Sequence, residues 1–497
     1  MKRRRWLMSW KSNGITNDNK GNMFEYKRYV VMVLIVATMV AIPYSIHGNA
    51  PLYISLIALT SVIGVFLRIP GFEFLLIAIA LCLPAGWIGT SGIVFPEVNN
   101  MHGAFSRFTK YLIPLTGFYF LLKNGFEKKK QIIILTCGLI FIGVLQTILT
   151  LKTNDLHMLM SICGYCYGFM LICYYDKKIE LKNVFIYIDL LFIVSLFYAL
   201  AEYLFRESPY QYITDATYHN AIGRARGILG HPLYLSGLAL FYQSIIFVKY
   251  ILFKKFGYFQ EILCVVMALI VVSRTTIVLM ILEYILFVIL TKGYKSLNFW
   301  VGNGIFFIIG VYLIMRFADS IVFDIITRFI EGNADHREGA FEAVFLLFLN
   351  NPLGVGYSNI MDEIWKGGYG GSGFSYTFST VDNLFLSQLA AYGIFSIIKI
   401  VFYFYFLIDS FRHRHKKPML FKIILFLYFP FIFESFSFDW DTSVFLCMLL
   451  YGLIGFMYRY YNFDKPCQKV LIISNSGNDH TIDRYYKWNN SNSDILH

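Results

Sequence analysis

Charged residues are scarce in this chain. Asp, Glu, Lys and Arg make up 15% of its 497 residues, whereas soluble domains carry about 25%. Hydrophobic residues reach 57% and aromatic residues 19%. One soluble core cannot bury such an excess of apolar side chains. The composition therefore excludes an ordinary soluble domain and predicts an all-α polytopic membrane protein.

Several signatures of other protein classes are also missing. The eight cysteines show neither zinc spacing nor a disulfide framework. The glycine-rich run Gly367–Gly373 lacks the Lys-Ser/Thr pair of a phosphate loop. No small-residue cleavage site follows the first apolar run, which argues against a removed signal peptide. The sequence thus gives no sign of a metal centre or a nucleotide-binding loop.

Apolar runs predict about 12–14 transmembrane helices. The candidate spans are 29–46, 51–67, 72–88, 108–122, 131–150, 156–175, 184–205, 231–249, 259–273, 275–291, 298–316, 381–408, 421–438 and 442–460. We therefore divide the chain into an N-terminal segment (1–28), a membrane domain (29–460) and a polar tail (461–497).

Lysine and arginine cluster between alternate spans, on one side of the predicted membrane. The positive-inside rule makes that side the cytoplasm and places both termini there. Topology then accounts for most of the formal net charge of +12, so we expect membrane lipids as partners and no nucleic acid. The long loops 206–230 and 317–380 fall on the opposite, outer face, the second with amphipathic helices.

These outer segments are rich in arginine: Arg224, Arg226, Arg274, Arg328 and Arg337. An arginine at membrane depth costs roughly 2.5–3.5 kcal/mol on insertion scales and usually has a partner. Guanidinium groups suit bidentate phosphate binding, so several on one face would form a pyrophosphate site. The alternative for Arg224 and Arg226 is contact with lipid headgroups.

A helix is predicted to start at Asp335, which forms a capping-box pattern with Glu338, and to end before Pro352. Its apolar stripe looks buried, and Arg337 stands at the head of that stripe. The stripe consists of Phe341, Val344, Phe345, Phe348 and Leu349. The alternative is a surface helix on which Arg337 is solvated.

Three motifs together resemble the O-antigen polymerase and O-antigen ligase superfamily, of the Wzy and WaaL types. They are R-G-x-x-G-H-P-x-x-L-S from Arg226 to Ser236, the Ser273-Arg274 turn, and R-x₃-F…N-P-L-G-V-G from Arg337 to Gly356. A fourth feature is an acidic or histidine residue before N-x₉-G, here Asp382 before Asn383. The resemblance covers roughly residues 200 to 410 and implies a GT-C-like membrane fold.

The resemblance implies glycosyl transfer from an undecaprenyl-diphosphate-linked oligosaccharide at the outer face of the bacterial plasma membrane. Such a reaction needs no cofactor and no metal. The resemblance implies that Arg226, Arg274 and Arg337 bind the leaving diphosphate. It places Arg224 and Arg328 behind them. A chain-length regulator and a flippase are the partners that the resemblance implies.

Ligases of this superfamily carry a histidine where this chain has Asp382. A carboxylate can take a proton from a sugar hydroxyl, so the missing histidine favours a polymerase over a ligase. Asp382 is equally well explained as a first-turn residue favoured by the helix dipole. His231 either contacts the acceptor or is a turn residue at the start of a helix. The rival from another class is a polysaccharide flippase or secondary transporter.

Overall fold

The computed structural model describes mainly the chain from residue 165 onward. The longer described ranges are 165–175, 181–205, 227–229, 232–254, 256–271, 273–291, 334–369, 383–436 and 444–461. Shorter pieces are 29–30, 32–33, 36–37, 55, 59, 62–63, 113, 115–123, 138, 141, 144, 148, 225, 301, 304, 308, 312 and 381. Within these residues the chain is helical and contains no strand, which confirms the all-α prediction for this part.

The part of the chain that the structure describes contains eleven α-helices. They are α1 (Tyr165–Tyr175), α2 (Leu181–Phe205), α3 (Pro232–Phe253), α4 (Tyr258–Val271), α5 (Arg274–Thr291), α6 (Ala334–Asn350), α7 (Ile360–Gly367), α8 (Leu384–Tyr392), α9 (Ser396–Arg412), α10 (Pro418–Glu434) and α11 (Val444–Arg459). Single 3₁₀ turns occur at Gly227–Leu229, Tyr357–Asn359 and Gly393–Phe395.

Three described segments are long and apolar enough to cross a membrane. They are Asn183–Phe205, Pro232–Phe253 and Leu384–Arg412, the last being α8, a 3₁₀ turn and α9 in succession. Shorter apolar helices lie at Cys166–Tyr175, Tyr258–Val271, Thr275–Thr291, Gly339–Asn350 and Phe445–Arg459. These segments indicate a membrane protein. The full set of 12–14 spans stays a prediction, because most of the residues before 165 fall outside the described ranges.

Helix α3 lies at the centre of the larger core. It packs against α4, α5 and α10, and most of its side chains are buried. Aromatic rings make much of the contact: Phe247 stacks on Phe287 of α5 at 4.3 Å, and Tyr242 stacks on Phe192 of α2 at 3.9 Å. A helix apolar on every side is what burial inside a helical membrane bundle requires.

Helices α1 and α11 pack closely, and glycine makes the approach possible. A Cβ atom at Gly455 would lie 2.4 Å from the carbonyl oxygen of Met170. Small residues at such contacts let helix backbones come near one another, as is common between membrane helices.

The span predicted at 381–408 is interrupted, which hydropathy alone does not reveal. The chain leaves helical geometry at Gly393, whose φ is +53° and ψ −132°. A loop at 352–356 packs against this break: Val355 N–H donates to Ala390 O at 3.1 Å, and Ile394 N–H donates to Pro352 O at 2.9 Å. The broken helix and the α6–loop–α7 hairpin therefore form one unit with its own core.

Helix α6 ends at Asn350, before Pro352 as predicted, and it begins at Ala334, one residue before the predicted start at Asp335. The predicted buried stripe is partly wrong: Val344 is buried, but three of its other members are exposed. The buried residues are Ala340, Ala343, Val344 and Leu347; the exposed ones are Phe341, Phe345 and Leu349. The alanines on this face allow α6 to pack closely on α8.

Candidate functional site

The C-terminal end of α10 joins the motif-bearing segments of the chain. We call residues Glu434, Ser435 and Phe436, with the groups that they contact, the junction. Glu434 is 2% exposed although it carries a carboxyl group. It follows the apolar run of α10, where an ionisable residue needs polar partners.

Hydroxyl groups from two other helices contact the Glu434 carboxyl group. Ser236 Oγ of α3 donates to Glu434 Oε1 at 3.2 Å, and Thr276 Oγ1 of α5 lies 3.5 Å from the same oxygen. Gly237 makes room for it, since a Cβ atom there would lie 3.2 Å from Glu434 Oε2. Ser236 closes the first predicted motif, and Thr276 follows the Ser273-Arg274 turn, so these two motifs meet at Glu434.

The next two residues of the junction hold the start of α8. Leu384 N–H donates to Ser435 O at 2.9 Å, and Asn383 Nδ2 donates to Phe436 O at 3.2 Å. Asn383 also caps the helix, because its Oδ1 accepts from Leu386 N–H at 3.1 Å. The N-x₉-G segment that begins at Asn383 is thereby fixed to the same point as the other two motifs.

The third motif reaches this region through α8. Gly356 N–H donates to Ala391 O at 3.0 Å, so the N-P-L-G-V-G loop runs along the end of α8. Ala340 and Ala343 of α6 share a buried cluster with Val381, which precedes α8. Helix α6, which carries Arg337, therefore packs beside both ends of α8, the helix whose start the junction holds.

A second buried glutamate holds the first motif from the other side. Glu202 of α2 accepts a hydrogen bond from Gly227 N–H at 2.8 Å and is 8% exposed. Gly227 has φ +55°, a conformation that favours glycine, and it opens the 3₁₀ turn Gly227–Leu229. The backbone on either side of the predicted Arg226 is thus anchored, since Ala225 is also fully buried.

Two helix N-termini at the junction are capped by neutral side chains. Ser273 precedes α5, and its Oγ accepts from Thr276 N–H at 3.4 Å. Asn383 does the same for α8. The amino end of a helix carries partial positive charge and favours anions. Together with α3, whose second turn supplies Ser236, these helix starts place partial positive charge near the buried Glu434 carboxyl group.

The described residues contain few of the predicted site side chains. Asn383 is placed at the junction. Arg274 is the first residue of α5 and Arg337 lies in the first turn of α6, but only their backbones are described. The remaining predicted residues lie outside the described residues: Arg224, Arg226, His231, Arg328 and Asp382.

Glu434 and Glu202 were not among the predicted site residues. Both are hydrogen-bonded, and each one holds a motif segment. The available signal was an ionisable residue inside or beside an apolar span, which marks a functional candidate by default.

Among the described residues no group of three or more His, Cys, Asp and Glu side chains is placed to hold a metal ion. No protein-family model, no curated protein and no solved structure matches this chain.

Proposed function

We propose that this protein is a polytopic membrane glycosyltransferase that polymerises a polysaccharide such as O-antigen, capsule or exopolysaccharide. It would transfer an undecaprenyl-diphosphate-linked glycan onto a second lipid-linked repeat unit. The observation that carries the proposal is the junction. There Glu434 contacts Ser236 and Thr276, while the following residues hold Asn383 and Leu384. Segments far apart in the sequence, each with a motif of this chemistry, are joined at one point.

In the proposed reaction an acceptor hydroxyl oxygen attacks the anomeric carbon of the donor glycan. The bond from that carbon to the diphosphate oxygen breaks, and the lipid diphosphate leaves with its negative charge. Arg226, Arg274 and Arg337 neutralise this charge as it develops, and the capped starts of α5 and α8 add partial positive charge. Asp382, next to the cap Asn383, takes the proton of the acceptor hydroxyl.

The proposal includes a location. The chain would cross the bacterial plasma membrane 12–14 times, with both termini in the cytoplasm and the junction toward the outer face. Lipid-linked repeat units would reach it through a flippase, and a chain-length regulator would act on the product. The three long apolar helices support the membrane part of this proposal.

The test uses the purified full-length protein in detergent with its undecaprenyl-diphosphate repeat unit, and the products are separated by length on a gel. We expect a ladder of glycans from the wild type. Arg337→Ala should lower the rate about 100-fold or more, because it removes charge stabilisation from the transition state. Arg412→Ala is the control, since Arg412 is exposed in the last turn of α9, far along the chain from the motifs.

The outcomes separate the candidate functions. If the wild type forms a ladder and Asp382→Asn abolishes it, Asp382 does more than stabilise the start of a helix. No ladder from verified substrate and folded protein contradicts the polymerase. A product formed only with a lipid A core acceptor, which Asp382→His enhances, would indicate the O-antigen ligase.

One observation favours a second candidate, a polysaccharide flippase or other transporter. Glu261 and Glu283 are buried inside apolar helices, and transporters often carry ionisable residues in such positions. A transporter would move lipid-linked glycan between two compartments and make no ladder in detergent.

A further inference from the structure

A second polar cluster lies along α3, away from the junction. Gln243 and Ser244 are neighbours near the middle of α3, and each contacts a glutamate on a different helix. Glu261 belongs to α4 and Glu283 to α5. The two glutamates are 2% and 0% exposed, and Gln243 is 2% exposed. We call these four residues the mid-helix cluster.

The hydrogen bonds of the cluster are short. Gln243 Nε2 donates to Glu261 Oε1 at 2.5 Å, and Ser244 Oγ donates to Glu283 Oε1 at 2.5 Å. Gln243 and Ser244 are adjacent and point about 100° apart around α3, so Glu261 approaches α3 from α4 and Glu283 from α5. The two carboxyl groups interact electrostatically with each other.

Three acceptor oxygens of this cluster have no donor among the described residues: Gln243 Oε1, Glu261 Oε2 and Glu283 Oε2. Buried polar atoms almost always have a hydrogen-bond partner, so such a group of unsatisfied acceptors calls for an explanation. Three oxygens, two of them carboxylate, are the ligand chemistry of a proton or a small hard cation.

Among the described residues, the charged and titratable groups near the cluster contact other partners. Lys249 of α3 forms an ion pair with Asp189 of α2, and Tyr242 O–H donates to the same Asp189 at 2.5 Å. Cys264 of α4 lies near both glutamates but carries no positive charge. On the α10 side, Lys422 donates to Leu290 O of α5. Lys249 and Lys422 therefore contact other groups than the two glutamates.

We propose that Glu261, Glu283, Gln243 and Ser244 form a buried binding site for a small monovalent cation, a proton or a sodium ion. A proton on one carboxyl group turns an acceptor into a donor. A sodium ion would instead draw its ligands from these oxygens. Either occupant removes the repulsion between two buried carboxylates, for which the described part of the chain supplies no counter-charge.

The cluster is connected to the junction through the same two helices. Ser236 and Gln243 are seven residues apart on α3, and Thr276 and Glu283 are seven apart on α5. Seven residues rise about 10 Å and return to nearly the same helix face. Occupancy of the cation site therefore acts on the spacing of α3 and α5 directly beneath the junction. The site itself does not depend on the proposed glycosyl transfer.

The first test is infrared spectroscopy of the full-length protein in neutral detergent at pH 7. A proton in the site gives a carbonyl-stretch band of a protonated carboxyl group that shifts in D₂O. We expect this band in sodium-free buffer, and we expect the Glu261→Gln/Glu283→Gln double variant to lose it. Glu342→Gln, which changes an exposed glutamate of α6, should leave it intact.

A sodium titration distinguishes the two cations. If sodium binds, adding it removes the band and raises the Tm of the wild type, and the double variant shows neither effect. If only protons bind, the band persists at every sodium concentration. Should the double variant fail to fold, each single Glu→Gln variant takes its place. A wild type without the band and without a sodium response overturns the proposal, as do variants whose spectrum and sodium response equal those of the wild type.

Discussion

The junction and the mid-helix cluster both include residues of α3 and α5, but they are built differently. The junction combines the Glu434 side chain with backbone hydrogen bonds, such as Leu384 N–H to Ser435 O. It also includes Gly237, where a Cβ atom would lie 3.2 Å from Glu434 Oε2. The mid-helix cluster consists of side-chain contacts alone and leaves three acceptor oxygens without a described donor.

This difference separates a scaffold from a responsive site. Backbone contacts and glycine fix shape, so we expect the region around the junction to be damaged by changes of volume. The mid-helix cluster contains two carboxyl groups whose negative charges repel each other. We therefore expect it to tolerate the loss of one charge when the side chain keeps its shape. The following variants test this contrast in order of decreasing effect on the free energy of unfolding, measured in mixed micelles.

Gly393→Ala should cause the largest loss of stability. A Cβ atom there would lie 2.0 Å from Pro352 O and 2.6 Å from Gly354 N, both backbone atoms that cannot move aside. Together with φ +53°, this should cost about 2–5 kcal/mol.

Gly368→Ala is its matched control, because Gly368 has φ +62° with nothing within 4 Å of the added Cβ. It should cost only the conformational part, about 1–2 kcal/mol. Equal losses at the two glycines would mean that the packing of the 352–356 loop on α8 contributes nothing.

Glu434→Ala should cost about 2–4 kcal/mol, since it leaves a buried cavity and removes the contacts that join α10 to Ser236 and Thr276. Glu434→Gln should cost about 1 kcal/mol, because an amide oxygen still accepts from Ser236. A glutamine variant as unstable as the alanine variant would show that charge, rather than shape, holds the junction.

Asn383→Ala should cost about 1 kcal/mol through the loss of the α8 cap. Its clearest signature is faster hydrogen exchange at Leu386 N–H, the amide that Asn383 Oδ1 accepts from. Asn383→Asp keeps the cap and loses only the bond to Phe436 O, so its Leu386 amide should stay protected. Unchanged exchange in the alanine variant would remove Asn383 from the junction.

Glu283→Gln should have the smallest effect, within about 1 kcal/mol of the wild type. Glutamine has the same shape, accepts from Ser244 Oγ, and carries no charge to repel Glu261. A loss as large as that of Glu434→Ala would mean that Glu283 is held ionised by contacts, and the contrast between the two regions would fail.

The sequence predicted some of these features and missed others for physical reasons. Hydropathy found α3, and Pro352 correctly marked the end of α6. The break at Gly393 was missed because the apolar run continues through it, while the contact with Pro352 that fixes it is a tertiary one. Which face of α6 is buried depends on α8, so the predicted stripe is buried at Val344 but exposed at Phe341.

The candidate site shows the same limit. The motifs identified Ser236, the Ser273 turn and Asn383 as belonging together. Glu434 was not predicted to join them, because its partners Ser236 and Thr276 lie 198 and 158 residues away. No local pattern encodes such contacts. The roles of Arg226, Arg274, Arg337 and Asp382 remain predictions.

The most direct test of the central claim, that the motif segments joined at the junction hold one lipid diphosphate, is a binding measurement. Affinity for undecaprenyl diphosphate is compared among the wild type, Arg274→Ala, Arg337→Ala and the double variant. Each single change should weaken binding about tenfold or more, since each removes a charged hydrogen bond. The double variant should lose less than the product of the two, because both arginines contact the same ligand. Affinities equal to the wild type in both single variants would contradict the account.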